Sequence, residues 1–470
     1  MNKILLLLIL FLQSNTILGQ KKIDKELLIK DLDVLKANLE AYHTGLYAYT
    51  TKEEFEQWYS ETKKNLSNAS SLEFFKKLNE LNTLIKNGHT WFHINPEQIG
   101  TDCLMPSFKI YKDNNKFYIT DAENQEIVQR EILSIDGIAI DEAFNQLLRY
   151  KERDGNNITQ PTEELIYNFG RTYALHYGSR PKTQLVILDG TTRKEITLKN
   201  IPFGEFSHKT DELFDTGSVE FSIKDSIATL KVETFNLKPL KKAKYSSKLK
   251  NLFKEIEKQN INHLIIDIRN NGGGHTESVE ELISYIYGQE FVFYDDVYRL
   301  HKDWDTSIIP EISQYQKNIS SWAQKKGADG YYRAIAGTDG VKRTKPEKNN
   351  FKGKLYILVN GSTLSAAAEF ASFIKQHRKA TFIGDETGGN KVQNTSGDWL
   401  IIGLPNSKVL VFIPYVLWKM NVDFENDGHG IKPDHFVQNS IEEEINNQDK
   451  VINFTNELIK KSMANNTYKK

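Results

Sequence analysis

Cysteine is almost missing from these 470 residues. Cys103 stands alone, so no disulfide can form within the chain, and the fold must be held by its core. No activating neighbour accompanies Cys103 in sequence, which marks it as a structural thiol rather than a nucleophile. An excess of either charge is also missing. The 61 basic and 62 acidic residues nearly cancel, which argues against a nucleic acid or an anionic membrane as partner. After the first twenty residues no apolar run is long enough to span a bilayer. The glycine run Gly272, Gly273, Gly274 is followed by no Gly-Lys-Ser/Thr, and the G-x-G-x-x-G spacing is absent, so a phosphate cradle is not indicated. Neither a G-x-S-x-G elbow nor an H-E-x-x-H zinc motif occurs, and there is no internal repeat or low-complexity tract.

What is present begins with "MNKILLLLILFLQSNTILGQKK". One lysine, a run of about ten apolar residues and a small-polar stretch ending at Gly19 have the layout of a secretory signal peptide over residues 1–19. No cysteine lies at the cleavage region, so a lipid-modified cysteine is excluded there. The mature chain is expected to be exported, periplasmic or secreted, and soluble.

Residues 20–100 read as a helical region. Leu27, Leu28, Leu32, Leu35 and Leu39 recur at helical spacing, Thr51 and Glu54 are placed as a capping box, and "SLEFFKKLNELNTLIK" repeats the amphipathic pattern up to "NGHT". From 101 to 205 short strands and turns take over, with hairpin signals at "KDNN" and two Asp-Gly pairs, interrupted by a helix-and-loop insertion at 152–180. Over 206–445 strands alternate with amphipathic helices, which predicts parallel strands joined by right-handed crossovers, an α/β fold. The polar stretch 300–350 reads as an irregular lobe, and 446–470 as a C-terminal helix and tail.

In open α/β sheets, sites gather at the carboxyl ends of strands. Two such ends are unusual here: "HLIIDI" runs into "RNNGGG", and "LYILV" runs into "NGSTLSAAAE". Ser362 fits a turn and Ser372 a packed helix position. Ser365 falls where the loop becomes a helix. There it is either an N-cap or a nucleophile whose oxyanion the helix start could receive. The stretch alone favours the cap. Two histidine pairs invite a metal reading, His89 with His93 and His429 with His435. Neither has a third ligand or the glutamate of a zinc motif, so no metal and no cofactor are expected.

"IIDIRNNGGG", "LVNGSTLSAAAEFASFIKQHRKATFIGDETGG" and "DGHGIKPDH" occur in that order, with "EILSIDGIAI" and "NGHT" ahead of them. Together they resemble the C-terminal-processing (tail-specific) serine protease family over most of the mature chain. That resemblance implies an α/β serine-protease core with a helical N-terminal region and a PDZ-like domain, acting on a peptide or protein substrate. It makes Ser365 the nucleophile and the N–H groups of Gly273 and Ala366 the oxyanion site. One branch of the family uses a lysine base; here Asn390 occupies that position and Lys391 follows one residue late. The tricorn-like and retinoid-binding-protein-like branch uses a histidine in a Gly-His-Thr context, which here is His89. The expected base is therefore His89, with Lys391 as the alternative, and Glu425 or Asp427 as the acid that orients it. A non-catalytic peptide- or lipophile-binding protein on the same fold is the rival expectation.

Overall fold

Two sequence runs are buried from end to end: His263–Asp267, and Lys354–Val359 after its first residue. A strand with both faces covered must lie between two layers of helix, as in parallel sheets. The computed structural model, which describes residues 21–99, 103–203, 218–311, 313, 324–338, 340–395 and 397–467, has that arrangement. The proposed signal at 1–19 lies outside the described residues.

Six strands form the central sheet in the order Val219–Lys224, Ile227–Val232, His263–Asp267, Lys354–Val359, Ala380–Gly384 and His435–Phe436. The first pair is antiparallel and the rest are parallel. Helices Tyr245–Lys258, Thr276–Ile286 and Ala366–His377 cover one face through Leu252, Phe253, Ile283 and Phe370. The C-terminal helix Lys450–Thr467 covers the other, where Val451 and Ile459 meet Ile265, Leu358 and Ile383. The α/β fold read from the alternation is the fold found.

A second sheet has its own core. Phe108–Asp113, Lys116–Ala122, Glu131–Ile135, Lys182–Asp189 and Thr192–Lys199 are joined antiparallel, and Ile119, Ile135 and Phe144 are buried between the sheet and helix Ile140–Leu148. The insertion is helical, Thr159–Tyr167 and Phe169–Tyr177, and contributes Leu165, Phe169 and Tyr173 to that core.

The N-terminal helices follow the leucine spacing. Lys25–Tyr42 buries Leu28, Leu32, Leu35 and Leu39, and Lys52–Asn65 starts on the Thr51/Glu54 capping box. The stretch expected as one long third helix divides into Ser71–Asn79 and Asn82–Ile85, and the second ends on Lys86 in the left-handed conformation. A strand then follows, Trp91–His93, paired with the hairpin Trp399–Gly403/Leu410–Pro414. The lobe at 300–350 is more regular than expected: Gln324–Lys326 and Tyr332–Ala334 join a sheet with Tyr294–Arg299, Leu417–Met420 and Gln393–Asn394. Cys103 is buried, which pushes its thiol up and suits a structural role. No described helix is long and apolar enough to cross a membrane.

Candidate active site

The two glycine- and serine-bearing strand ends are laced into one unit. Asn270 N–H donates to Asn360 Oδ1 at 2.9 Å, and Asn360 Nδ2 donates back to Asn270 Oδ1 at 2.7 Å. Leu364 N–H reaches the Asn271 carbonyl at 3.0 Å, and the Thr363 hydroxyl reaches the Ile268 carbonyl at 3.0 Å. Asn271 is fully buried and ties the glycine loop to Val232 O at 3.0 Å.

Ser365 sits at the end of this unit with φ +52° and ψ −130°, a backbone state that costs a non-glycine residue about 1–3 kcal/mol. Its side chain makes no capping hydrogen bond, so the helix-cap role favoured by the local sequence is not what the structure contains. The other two serines have local duties: Ser362 donates to Glu163, and Ser372 to the Lys391 carbonyl. Ser365 Oγ instead accepts from Asn394 Nδ2 at 3.3 Å.

Gly273 makes this turn possible. With φ +99°, its missing Cβ would stand 2.7 Å from Ser365 Cβ, 2.8 Å from Ala366 N and 2.9 Å from Leu364 O. The Ala366 N–H, first in its helix, has no intrahelical acceptor and lies at the positive end of the helix dipole. The Gly273 N–H donates to Asn271 Oδ1 at 2.9 Å. The two N–H groups expected as the oxyanion site are therefore adjacent, one of them with an internal acceptor.

Beneath the serine, Glu369 is only 2% exposed. It accepts from Asn394 Nδ2 at 2.7 Å and from the Tyr294 hydroxyl at 2.7 Å. Burial pushes its carboxyl up to about 7, against those two hydrogen bonds. Asn394 thus spans Ser365 and a buried acid with one amide group.

His89 is buried, and burial lowers its pKa while the charge of Asp154 acts the other way. Its Nδ1 is buried without a hydrogen-bond partner. The loop around it is held firmly: Trp399 Nε1 donates to His89 O at 2.9 Å, and Asn87 Oδ1 accepts from His89 N–H at 3.0 Å. Asn87 is braced in turn. Gly45 N–H donates to His43 Nδ1, so the neutral His43 ring carries its proton on Nε2 and gives it to Thr90 Oγ1, which donates to Asn87 Oδ1.

Two bridges run from this loop to the neighbours of Ser365. Asp154 accepts from Gly88 N–H at 2.8 Å and from Asn390 N–H at 3.2 Å, and Gly389 packs against Ser365 N and Ala368. Asn87 Nδ2 donates to Thr395 Oγ1 at 2.8 Å, next to Asn394. The alternative base points elsewhere: Lys391 Nζ is 2.8 Å from both carboxylate oxygens of Asp427. Glu425 is exposed, and its carbonyl accepts from Asp427 N–H. His93 lies on the strand, His429 binds Glu386 at 3.0 Å, and no cluster of three metal-ligating residues occurs among the described residues. Arg269 is saturated by Asp267 and Asp449.

Asp154 and Asn394 were not singled out by sequence reasoning. Asp154 lies in "RDGNN", which reads as a plain turn; its partners are 66 and 236 residues away. The only available signal was an acid inside the insertion.

Residues 226–437 match the model of peptidase family S41. The "Probable CtpA-like serine protease" of Staphylococcus epidermidis is 22% identical over 250 residues, 53% of this chain and 39% of that protein. Its namesake in Staphylococcus haemolyticus is 23% identical over 252 residues, with the same coverage. The chain thus matches less than half the length of these curated relatives. Mature CPAF complexed with lactacystin shares the fold, with a TM-score of 0.64 at 14% identity over 94% of this chain and 98% of that one. The α/β core, residues 226–437, is thus the part of the chain that matches peptidase family S41.

Proposed function

We propose that the chain is an exported serine endopeptidase that cleaves peptide bonds through an acyl-enzyme on Ser365. The observation that carries this reading is the strained serine turn. A serine held at φ +52°, uninvolved in capping and packed on a glycine at the start of a helix, spends stability on presenting its hydroxyl. In the reaction Ser365 Oγ attacks the carbonyl, His89 takes the hydroxyl proton and returns it to the leaving amine, and water hydrolyses the ester. The negative charge on the carbonyl oxygen falls to the Ala366 N–H, joined by Gly273 once its N–H leaves Asn271 Oδ1.

Burial supports His89 as the base because it keeps the ring neutral at neutral pH. The grip of Asp427 on Lys391 speaks against the lysine, since both carboxylate oxygens already hold its Nζ at 2.8 Å. With Asp427 so engaged, Glu425 is the favoured acid to orient His89 as substrate draws the ring onto Ser365. Residues 101–205 act as a PDZ-like module that takes a peptide by strand addition, and residues 1–19 direct export. The antiparallel sheet packed on helix Ile140–Leu148 supports the first of these roles.

The test is labelling by a fluorophosphonate. Wild-type protein is expected to react and Ser365→Ala not to react. His89→Ala is expected to abolish labelling while Lys391→Ala keeps most of it. Equal labelling of wild type and Ser365→Ala overturns the peptidase reading; the reverse pattern in the other two variants reassigns the base.

A further inference from the structure

A cavity of about 440 Å³ lies between the N-terminal helices, the insertion and the serine turn. That volume is in the range of ligand sites. Its lining includes Leu364 and Gly88, the residues immediately before Ser365 and His89, so whatever fills it sits beside the reacting groups. Phe75, Trp91, Phe92 and Leu175 give it apolar walls suited to a peptide side chain.

The charges in the lining do not balance. Lys151 is neutralised by Glu164 at 2.6 Å. Glu152 is held above the usual carboxylate range, first by desolvation and then by repulsion from Glu164. Lys76 and Arg171 remain. Lys76 Nζ donates to the His176 carbonyl at 2.8 Å and feels the charge of Glu73, and neither cation forms an ion pair within 4 Å among the described residues. Two histidines in the lining feel this field: His93 is lowered by burial and then by Arg171, and His176 by burial and then by Lys76. At neutral pH both are uncharged, and Lys76 and Arg171 line the space without an ion pair of their own among the described residues. Gln160 is 8% exposed and also lines the cavity, and its Oε1 is buried without a partner. Such an acceptor fits a backbone N–H of a bound chain.

We propose that this cavity is a substrate subsite for a carboxylate-bearing residue of the peptide, next to the bond presented to Ser365. The proposal rests on the peptidase reading, and it adds that acidic peptides are preferred. The carboxylate has two possible sources, an Asp or Glu side chain or a free C-terminus, and both would meet the same cations.

The experiment uses full-length Ser365→Ala protein and fluorescent peptides identical except at one position. End-blocked peptides carrying Glu, Gln or Lys are compared by anisotropy, together with a Gln peptide whose C-terminus is free. A charge-assisted contact predicts that Glu binds about tenfold or more tighter than Gln, with Lys weakest. Tighter binding of the free-terminus peptide than of its blocked twin identifies the terminal carboxylate as a source. Arg171→Gln, at an exposed position, and Lys76→Gln are each expected to shrink the preference, and the double variant to remove it. Equal binding of all four peptides, or a preference that survives in the double variant, overturns the proposal. Fluorophosphonate labelling of the wild type keeps the two readings apart. A labelled enzyme with no carboxylate preference fails only the subsite, whereas carboxylate-selective binding without labelling fails only the peptidase.

Discussion

Replacing Gly273 with alanine isolates the feature on which the serine turn depends. The new methyl would arrive 2.7–2.9 Å from Ser365 Cβ, Ala366 N and Leu364 O. None of these atoms is the far end of a flexible side chain, so the two loops must part. Holding alanine at φ +99° adds backbone strain. Strain and overpacking together put the cost at about 2–5 kcal/mol. Gly272 is the control: a Cβ there meets nothing within 4 Å, and its φ is not in the left-handed region. The assay pairs thermal unfolding with the rate of fluorophosphonate labelling at a temperature where both variants are folded. Gly273→Ala should melt earlier and label about a hundredfold more slowly, since a shift near 1 Å at a reacting centre costs on that order. Gly272→Ala should match the wild type in both. Equal behaviour of the two variants would show that Gly273 does not fix Ser365, and the reasoning about the strained turn would fail.

Two predictions concern pH. Glu369 titrates at about 7 in the folded protein against an ordinary 4.5, so the folded state binds its proton more tightly. That contribution is fully present below pH 4.5 and lost as pH rises through 7, up to about 3 kcal/mol. Urea unfolding of Glu369→Gln at pH 5 and pH 7.5 should show a smaller difference than wild type; an unchanged difference would move the titration elsewhere. The second concerns the base. Because burial lowers His89, the pH profile of Ser365 labelling should hold its plateau to below the ordinary histidine value of 6.5 before falling in acid. A midpoint above that value would count against His89.

The parts legible in the sequence are those with local or periodic signatures. The leucines of Lys25–Tyr42, the capping box at Thr51 and the buried runs ending in "NNGGG" and "NGSTLS" each carry their structure within a dozen residues. The position of Ser365 was legible too, but its conformation was not. Whether a serine before a helix caps it depends on Gly273, nearly a hundred residues away, which crowds its other side. Asp154 and Asn394 were hidden for a related reason. An acid bonded to two backbone N–H groups in distant loops leaves no spacing to read. The two short strand segments inside 324–334 were missed because they are polar and short, and their sheet is completed by Tyr294–Arg299 and Leu417–Met420.

The serine half of the site is built by the central sheet, whereas the histidine half depends on how the N-terminal helices dock, and Asp31 tests that division. It is fully buried on helix Lys25–Tyr42. Its carboxylate accepts from Asn406 N–H at 3.0 Å, Asn406 Nδ2 at 2.8 Å and Ser407 N–H at 2.7 Å. Those residues form the turn of the hairpin whose strand Leu410–Pro414 pairs with Trp91–His93, and whose Trp399 holds the His89 carbonyl. Leu32 and Leu39 share one hydrophobic cluster with Leu400 and Ile413, so helix and hairpin close the same core. Asp31→Ala would strand buried donors at a cost of about 2–5 kcal/mol and loosen the hairpin from the helix. Labelling by fluorophosphonate, measured well below the melting temperature, should therefore slow because His89, the proposed base, is less firmly placed, and by no more than in His89→Ala. If Asp31→Ala melts early yet labels at the wild-type rate while folded, the placement of His89 does not depend on the docked helix, and Asp154 and Asn87 would have to hold it.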